Sequence, residues 1–568
     1  MIQPTPAIVA QSAVRRIPRL ILLLVCAAYV IPGFIGRDAW KAVDMASLGF
    51  MSEIALGHTP WFTPLLLGSP PSFPSLLPYW LGAWAMQWAP LGLPSDFAAR
   101  IPFMGLLALG LVATWYATYY LARRPGAQPV AFAFGGEANT TDYARAIADG
   151  GVLALIACLG LAHLGHETTP ALAQLGFAAL TFFGFAALAY YRWLPGVALA
   201  LGLLGLALSG APAMALTYGV GGAVVHILDT AVMQDEKARP IHRLQEAAWL
   251  LLLLVGVGTL AWQWQLWSWK IQWPHATWNE WNGYAQLLIW FTWPAGPLAL
   301  WTAWRWRLQL FTLKVHSHLV LPLWFILVTV AATLTSSSPD RNLLLALPAL
   351  ATMAAFALPT LKRQVSALID WFTLLFFTSC GFTIWVIWLA MQTGFPSQPA
   401  ANVARLAPGF VPSFSLLSLV MALAATAAWL WLVKWRVGRH RAALWKSLVL
   451  PGCGAALCWL LLMTLWMPLL NYSQSYESMV RRIEHLTGAQ QCVQLREVDL
   501  GPLAAMRFYG HMHLVQGESD MQCPWLVLDS ASAALSAALT SPSPWLVHDT
   551  VRHPVEPFIS LTLLKRTP

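Results

Sequence analysis

The chain has 568 residues, 58% of them hydrophobic and only 10% charged, with a mean hydropathy of +0.60 and a formal net charge of +9. That balance leaves too little polar surface to cover a water-soluble globule, which excludes an ordinary soluble protein. The positive charge falls in short clusters between apolar runs with no nucleic-acid module beside them, so nucleic acid is excluded as a partner and topology explains the excess.

Apolar runs of about 18 or more residues recur from end to end, each long enough as a helix to cross roughly 30 Å of hydrocarbon. Only self-satisfied backbones such as helices cross lipid in a chain of this kind. The runs at 18–35, 97–122, 147–165, 170–191, 194–210, 213–233, 247–267, 284–304, 318–336, 342–359, 367–391, 413–433 and 447–468 predict an all-α polytopic membrane protein. That is about thirteen spans. Basic residues gather at Arg15/Arg16/Arg19, Arg123/Arg124, Lys237/Arg239/Arg243, Arg305/Arg307/Lys314, Lys362/Arg363 and Lys434/Arg436/Arg439/Arg441/Lys446. With these inside, every even-numbered span ends at a basic cluster or a single Arg, the N-terminus is cytoplasmic and residues 469–568 lie outside. The first apolar segment lacks a small-residue cleavage site and is followed by more spans, so it reads as a retained signal anchor.

The first external segment, 37–96, opens with "GRDAWKAVDMASLGF", where Arg37, Asp38, Lys41 and Asp44 crowd together as the chain leaves its first span. Read locally, Arg37/Asp38 and Lys41/Asp44 are solvated helix-end pairs. The rest of this loop is rich in Pro and Trp, and "LLPYWLGAWAMQW" suits a helix lying in the interface. His163 and His166 share a helix face at the outer end of span three, but a zinc set would need further ligands and none is apparent. His316 and His318 fall at the inner face and read as solvated.

After Asn471 the composition turns mixed polar. "YESMVRRIEHL" has helical periodicity and "CVQLREVDL" and "PWLVLDS" look like short strands, so residues 469–568 read as a small α/β domain following a transmembrane domain, 1–468. Cys26, Cys158, Cys380, Cys453 and Cys458 fall in apolar spans, where a thiol is a small hydrophobe. Cys492 and Cys523 both fall in the external domain, where an oxidising compartment favours a disulfide between them. No P-loop and no dinucleotide glycine motif is present, so neither ATP coupling nor a nicotinamide cofactor is expected.

The stretches "GRDAWKAVD", "GHTPWFTPLLLGSPPSFPSLLPYWLGAW", "SDFAARIPFMGLL", "GHETTPAL" and "SSSPDRNLLLALP" occur in that order. Together they resemble the C-type (GT-C) glycosyltransferases, in the bacterial branch that includes the lipid A aminoarabinose transferase and the protein O-mannosyltransferases. The resemblance implies an inner-membrane enzyme with a large first periplasmic loop and a small C-terminal periplasmic domain. It would move a sugar from a polyprenyl-phosphate donor to a lipid or protein acceptor among the membrane lipids. Aligned on "GRDAWK", Val43 and Asp44 fall at the family's acidic Asp-Glu pair, so Asp44 stands where the Glu usually stands; the resemblance makes Asp44 the implied catalytic carboxylate, with Asp38 the alternative. Phe73 and Pro74 stand where the family carries Glu-Lys. The cations that balance the donor phosphate would then be Lys41, Arg100 and Arg341, since a guanidinium offers a two-pronged match to phosphate. His166 and Glu167 stand where the family has a second acidic or polar group, and Glu167 would there bind the acceptor, orient the partner of Asp44 or share a divalent cation with it. Two rival readings stay open. A transporter or flippase of lipid-linked glycan would show inverted repeats and mid-membrane charges, and neither is seen here. An inactive lipid-binding homologue is the other, on account of the missing Glu-Lys.

Overall fold

The computed structural model describes residues 5–229, 240–267, 272, 277–312, 314–437, 443–517, 523–532, 544–556 and 558–566. The basic residues Lys237, Arg239, Arg439 and Arg441 lie outside the described residues, as does the side chain of Arg243. The chain is a bundle of apolar helices with a small mixed sheet at one end. The first nine helices are α1 (Arg19–Val30), α2 (Lys41–Ala55), α3 (Leu77–Gln87), α4 (Ser95–Ala122), α5 (Thr140–Ala157), α6 (Leu159–Leu164), α7 (Pro170–Ala187), α8 (Trp193–Leu208) and α9 (Pro212–Leu228).

Among the described residues, eight helices are long and apolar enough to cross a membrane: Ser95–Ala122, Pro170–Ala187, Gln245–Gln263, Ser317–Leu334, Pro339–Thr360, Arg363–Thr393, Leu416–Arg436 and Lys446–Leu465. Three further expected spans fall on shorter apolar helices, α1, α8 and α9. The remaining two, 147–165 and 284–304, are not single helices. The first divides at Cys158 into α5 and α6, and the second divides between Trp278–Phe291 and Ala295–Arg305. The two breaks face each other. Leu159 N–H donates to the Trp293 carbonyl at 3.2 Å, so a group freed by one interruption is satisfied by the other. Interrupted helices survive at membrane depth only where protein supplies such partners.

Small residues bring the helices close. An added Cβ at Gly184 of α7 would lie 2.6 Å from Leu199 Cγ of α8, and one at Gly176 would lie 3.0 Å from the Leu106 carbonyl of α4. Glycine is needed at both positions for the backbones to approach, the usual device where lipid provides no hydrophobic drive between helices.

Beyond α1's partner, the Lys446–Leu465 helix, the chain forms a five-stranded sheet in the order β2-β1-β3-β5-β4. Its strands are β1 (Cys492–Arg496), β2 (His513–Gln516), β3 (Trp525–Asp529), β4 (Trp545–Arg552) and β5 (Ser560–Arg566). β1 runs parallel to β2 and β3, while β5 is antiparallel to β3 and β4. The crossover from β1 to β2 is the Leu500–Tyr509 helix, and its small residues lie against α2. An added Cβ at Gly49 would meet Ala504 Cβ at 2.7 Å, and one at Gly501 would meet Ala42 Cα at 2.6 Å. Arg507 Nε bonds the buried Glu53 carboxylate of α2 at 2.8 Å, which fixes the sheet onto the first loop.

Cys492 begins β1 and Cys523 precedes its neighbour β3; the two are joined as a disulfide with Cα atoms 5.1 Å apart. With the cysteines 31 positions apart in sequence, the cross-link should stabilise this region by roughly 3–4 kcal/mol on the loop-entropy estimate. Cys492→Ser should therefore lower the midpoint of thermal unfolding followed on the sheet, and adding reductant to the parent protein should do the same. An unchanged midpoint in both would mean the bridge adds nothing.

Candidate functional site

The loop leaving α1 does not end in solvated pairs. Arg37 reaches seven residues along the chain to Asp44, Nη2 to Oδ2 3.2 Å, and both side chains are about 96–97% buried. Its other amino group donates to the His166 carbonyl, and its guanidinium lies 4.2 Å over the Trp40 ring. Asp44 sits in the first turn of α2, where a carboxylate also complements the helix N-terminus. Its Oδ2 takes a second bond from Trp40 N–H at 3.2 Å. Its Oδ1 takes Thr168 N–H at 2.8 Å and the Thr168 hydroxyl. A carboxylate has about four acceptor positions, and these four donors fill them.

Lys41 is likewise not paired with Asp44. It opens α2 with φ of 59°, a left-handed conformation that costs an L-residue about 1–3 kcal/mol. This turn aims Nζ at Glu167, 3.7 Å from Oε1, and at His163 Nε2, 3.4 Å away. Arg341 approaches Glu167 from the other side, Nη2 to Oε2 3.3 Å, out of the short Pro339–Leu343 helix. Glu167 is 1% exposed. Burial pushes its carboxyl above the usual carboxylate range, and Arg341 pulls it back down more than any other neighbour does.

His166 has a structural setting. Its ring stacks on Trp459 with centroids 4.2 Å apart, and Nε2 is 3.0 Å from the Tyr29 carbonyl, to which it must donate. Burial lowers the imidazole to about 3, so it is neutral. Gly33 completes the contact, since a Cβ there would lie 2.6 Å from His166 Cγ. His166 thus offers its carbonyl to Arg37 and no free ring nitrogen to a solvent-filled space.

Asp38 and Arg100 form a neighbouring group rather than part of this one. Asp38 N–H donates to Asn471 Oδ1 at 3.1 Å, and the same oxygen takes Trp40 Nε1–H at 2.9 Å. Burial, reinforced by Glu477, pushes the Asp38 carboxyl up to about 6, with Arg100 acting against the rise. Arg100 is buried and lies 3.5 Å from Asp96, one turn earlier in α4.

A cavity of about 690 Å³ opens beside these groups. Val43 of α2, Phe73, Gln174 of α7, Ser338, Arg341 and Asp499 line it, so the first loop, three helices and the C-terminal region all contribute walls. Arg341 is the member of the charge cluster that reaches the lining. Phe73 gives its wall an apolar face.

A divalent ion shared by Asp44 and Glu167, one of the alternatives the resemblance left open, does not fit this arrangement. Arg37, Lys41 and Arg341 already neutralise the two carboxylates. Asp44 has no acceptor position left over, and no group of three or more His, Cys, Asp or Glu converges among the described residues. One of the two histidines expected to be solvated, His318, also needs correction. His318 is 1% exposed, not solvated, and packs edge-on against Trp306 and Phe356 with centroids 5.4 and 5.7 Å away.

No protein-family model and no curated protein matches this sequence. Solved structures do. The crystal structure of ArnT from Cupriavidus metallidurans bound to undecaprenyl phosphate superposes with a TM-score of 0.61, covering 96% of this chain and 97% of that one at 13% identity. The fold is that of ArnT. The apo structure of the same protein gives a TM-score of 0.59 at 13% identity, covering 96% and 98% of the two chains. ArnT is the lipid A aminoarabinose transferase, with the GT-C fold. The likeness to ArnT takes in the sheet region as well as the helices, because only a twenty-fifth of the chain lies outside the superposition.

Two members of the site were not singled out from the sequence. Thr168 stood inside the quoted "GHETTPAL" without a role, although a hydroxyl beside Glu167 could have been noted as an Asp44 donor. Arg37 was read as the partner of its neighbour Asp38, and only the fold turns it towards Asp44.

Proposed function

We propose that this protein is an integral-membrane glycosyltransferase that moves a sugar from a polyprenyl-phosphate donor to an acceptor at the outer face of a bacterial inner membrane. The observation that carries this reading is the buried Arg37–Asp44 pair and the Lys41–Glu167–Arg341 cluster around the buried Glu167, beside a 690 Å³ cavity, in a chain with the fold of ArnT. The undecaprenyl phosphate bound by that ArnT supports a lipid of the same class here. Residues 1–468 would form the catalytic membrane domain and 469–568 a periplasmic domain that closes one wall of the cavity through Asp499 and Gly501.

The chemistry is one displacement. An acceptor hydroxyl oxygen bonds to the anomeric carbon, the bond from that carbon to the phosphate oxygen breaks, and polyprenyl phosphate departs with the electron pair. Arg341 and Lys41 would take the phosphate, where fixed donors are worth most in a water-poor site. Glu167, held above the usual carboxylate range, would accept the hydroxyl proton once Arg341 turns to the phosphate. Asp44 would be the positioning residue that keeps Arg37 and Thr168, and so Glu167, in place.

Mass spectrometry of membrane glycolipids and glycoproteins from a deletion strain should show one class losing a sugar, restored by the intact gene. Identical profiles in both strains would end the reading. The compartment is tested by alkylating intact cells before lysis: a periplasmic sheet region has Cys492–Cys523 oxidised, whereas two alkylated thiols would put it inside.

A further inference from the structure

At the opposite end of α1 from Arg37, a groove of about 310 Å³ runs between the N-terminal arm, α1 and the two helices Leu416–Val437 and Lys446–Leu465. Its floor is apolar, built on Leu22, Val25, Leu432 and Val449, and its mouth carries Arg15, Arg16, Arg436 and Lys446. Not all of this charge is spent within the protein. Arg16 pairs with Asp142 at 2.6 Å and Arg436 pairs with Asp370. Among the described residues neither Arg15 nor Lys446 has an acidic partner within ion-pair distance, and the buried Arg436 Nε has no hydrogen-bond acceptor. The mouth is also fixed in shape. Trp445 Nε1–H donates to the Arg15 carbonyl at 2.6 Å, and Trp445 stacks parallel to Trp435 at 6.4 Å.

We propose that this groove binds an anionic glycerophospholipid, its phosphate held by Arg15 and Lys446 beside the Arg436 guanidinium and one acyl chain laid against Leu22 and Val449. Charge complementarity decides the occupant. A zwitterionic headgroup would bring a further cation into a mouth that already holds four among the described residues, whereas an anionic headgroup supplies the missing acceptors. Basic pockets between transmembrane helices recognise such headgroups, each cation contributing to the attraction. The apolar floor below the cations separates this site from a binding place for free phosphate. It also lies at the far end of the bundle from the proposed catalytic cavity, so its occupancy does not depend on that reading.

The test is native mass spectrometry of the full-length protein in detergent, titrated with dioleoylphosphatidylglycerol, with dioleoylphosphatidylcholine and with inorganic phosphate. The expected result is tighter binding of the phosphatidylglycerol, unaffected by millimolar phosphate. Arg15→Gln/Lys446→Gln should weaken it at least about tenfold, the scale expected for two surface cations, and leave the phosphatidylcholine unchanged. Leu22→Trp, which keeps every charge and fills the floor, should weaken it as well, and an unchanged thermal midpoint would show that both variants are folded. Equal affinity for the two lipids, competition by free phosphate, or unaltered binding in the folded double variant would each overturn the proposal.

Discussion

Asp44→Asn should cost the protein both stability and transfer. The asparagine side chain has one acceptor oxygen and one amide, and each oxygen of Asp44 faces two donors. Whichever way the amide turns, an NH₂ points either at Arg37 and the Trp40 N–H or at the two Thr168 donors. Arg37, buried beneath Trp40, is then left without its counter-charge. Breaking a buried pair from one side costs roughly 3–5 kcal/mol, because the remaining charge has no water to return to. Asp38→Asn has no such consequence. Its carboxyl is already pushed up to about 6 and is only half-buried, so loss of the charge should leave unfolding near that of the parent.

Stability alone would not show that the pair serves the chemistry, and a double variant separates the two. Arg37→Met/Asp44→Asn removes both buried charges, so no guanidinium is left buried without a counter-charge, which is the costly part of breaking the pair from one side. Its thermal midpoint should recover relative to Asp44→Asn. Transfer, followed as restoration of the missing glycan in a deletion strain at matched protein level, should stay at least about a hundredfold down, as expected when a catalytic carboxylate is displaced. If transfer returns together with the midpoint, the pair is scaffold only.

The class of the protein was legible because span length and loop charge are local properties of the sequence. The same is true of the Glu477–Thr487 helix, whose Met479, Val480 and Ile483 recur at helical spacing and are buried. The interruption at Cys158 was not legible. An apolar run of helical length carries no mark of a break when the orphaned donor is satisfied by a carbonyl more than a hundred residues away. The crossover helix Leu500–Tyr509 was missed for a related reason: its small residues answer to Gly49 and Ala42 on α2, not to any period of their own. At the site, Asp44, Lys41, Glu167 and Arg341 could be chosen from the sequence, but their pairing could not. Adjacent residues on a turn point apart, so Arg37 beside Asp38 was a poor guide to Arg37 over Trp40 and against Asp44.

Glu167→Gln should lower transfer at least about a hundredfold with the fold intact, on the proposal that Glu167 receives the acceptor proton. Glutamine keeps the shape and one acceptor oxygen, while Lys41 is partly exposed and Arg341 faces the cavity, so both cations stay solvated after the change. Acid dependence tests the role more closely than rate. A base works as its carboxylate, so transfer should fall as pH drops through the Glu167 titration, which burial has moved upward. Arg341 is the strongest influence holding that titration down. Arg341→Ala should therefore do two things: weaken use of the polyprenyl-phosphate donor, and shift the acid limb of the remaining activity to higher pH. Arg341→Lys keeps the charge but loses the two-pronged phosphate contact, so it should restore the position of the limb without restoring the donor. The measurement is transfer by purified protein from a polyprenyl-phosphate sugar across pH, for the parent and these three variants. A limb that stays in place in Arg341→Ala, or that survives unchanged in Glu167→Gln, would remove Glu167 from the proton path and leave it as the strut between Lys41 and Arg341.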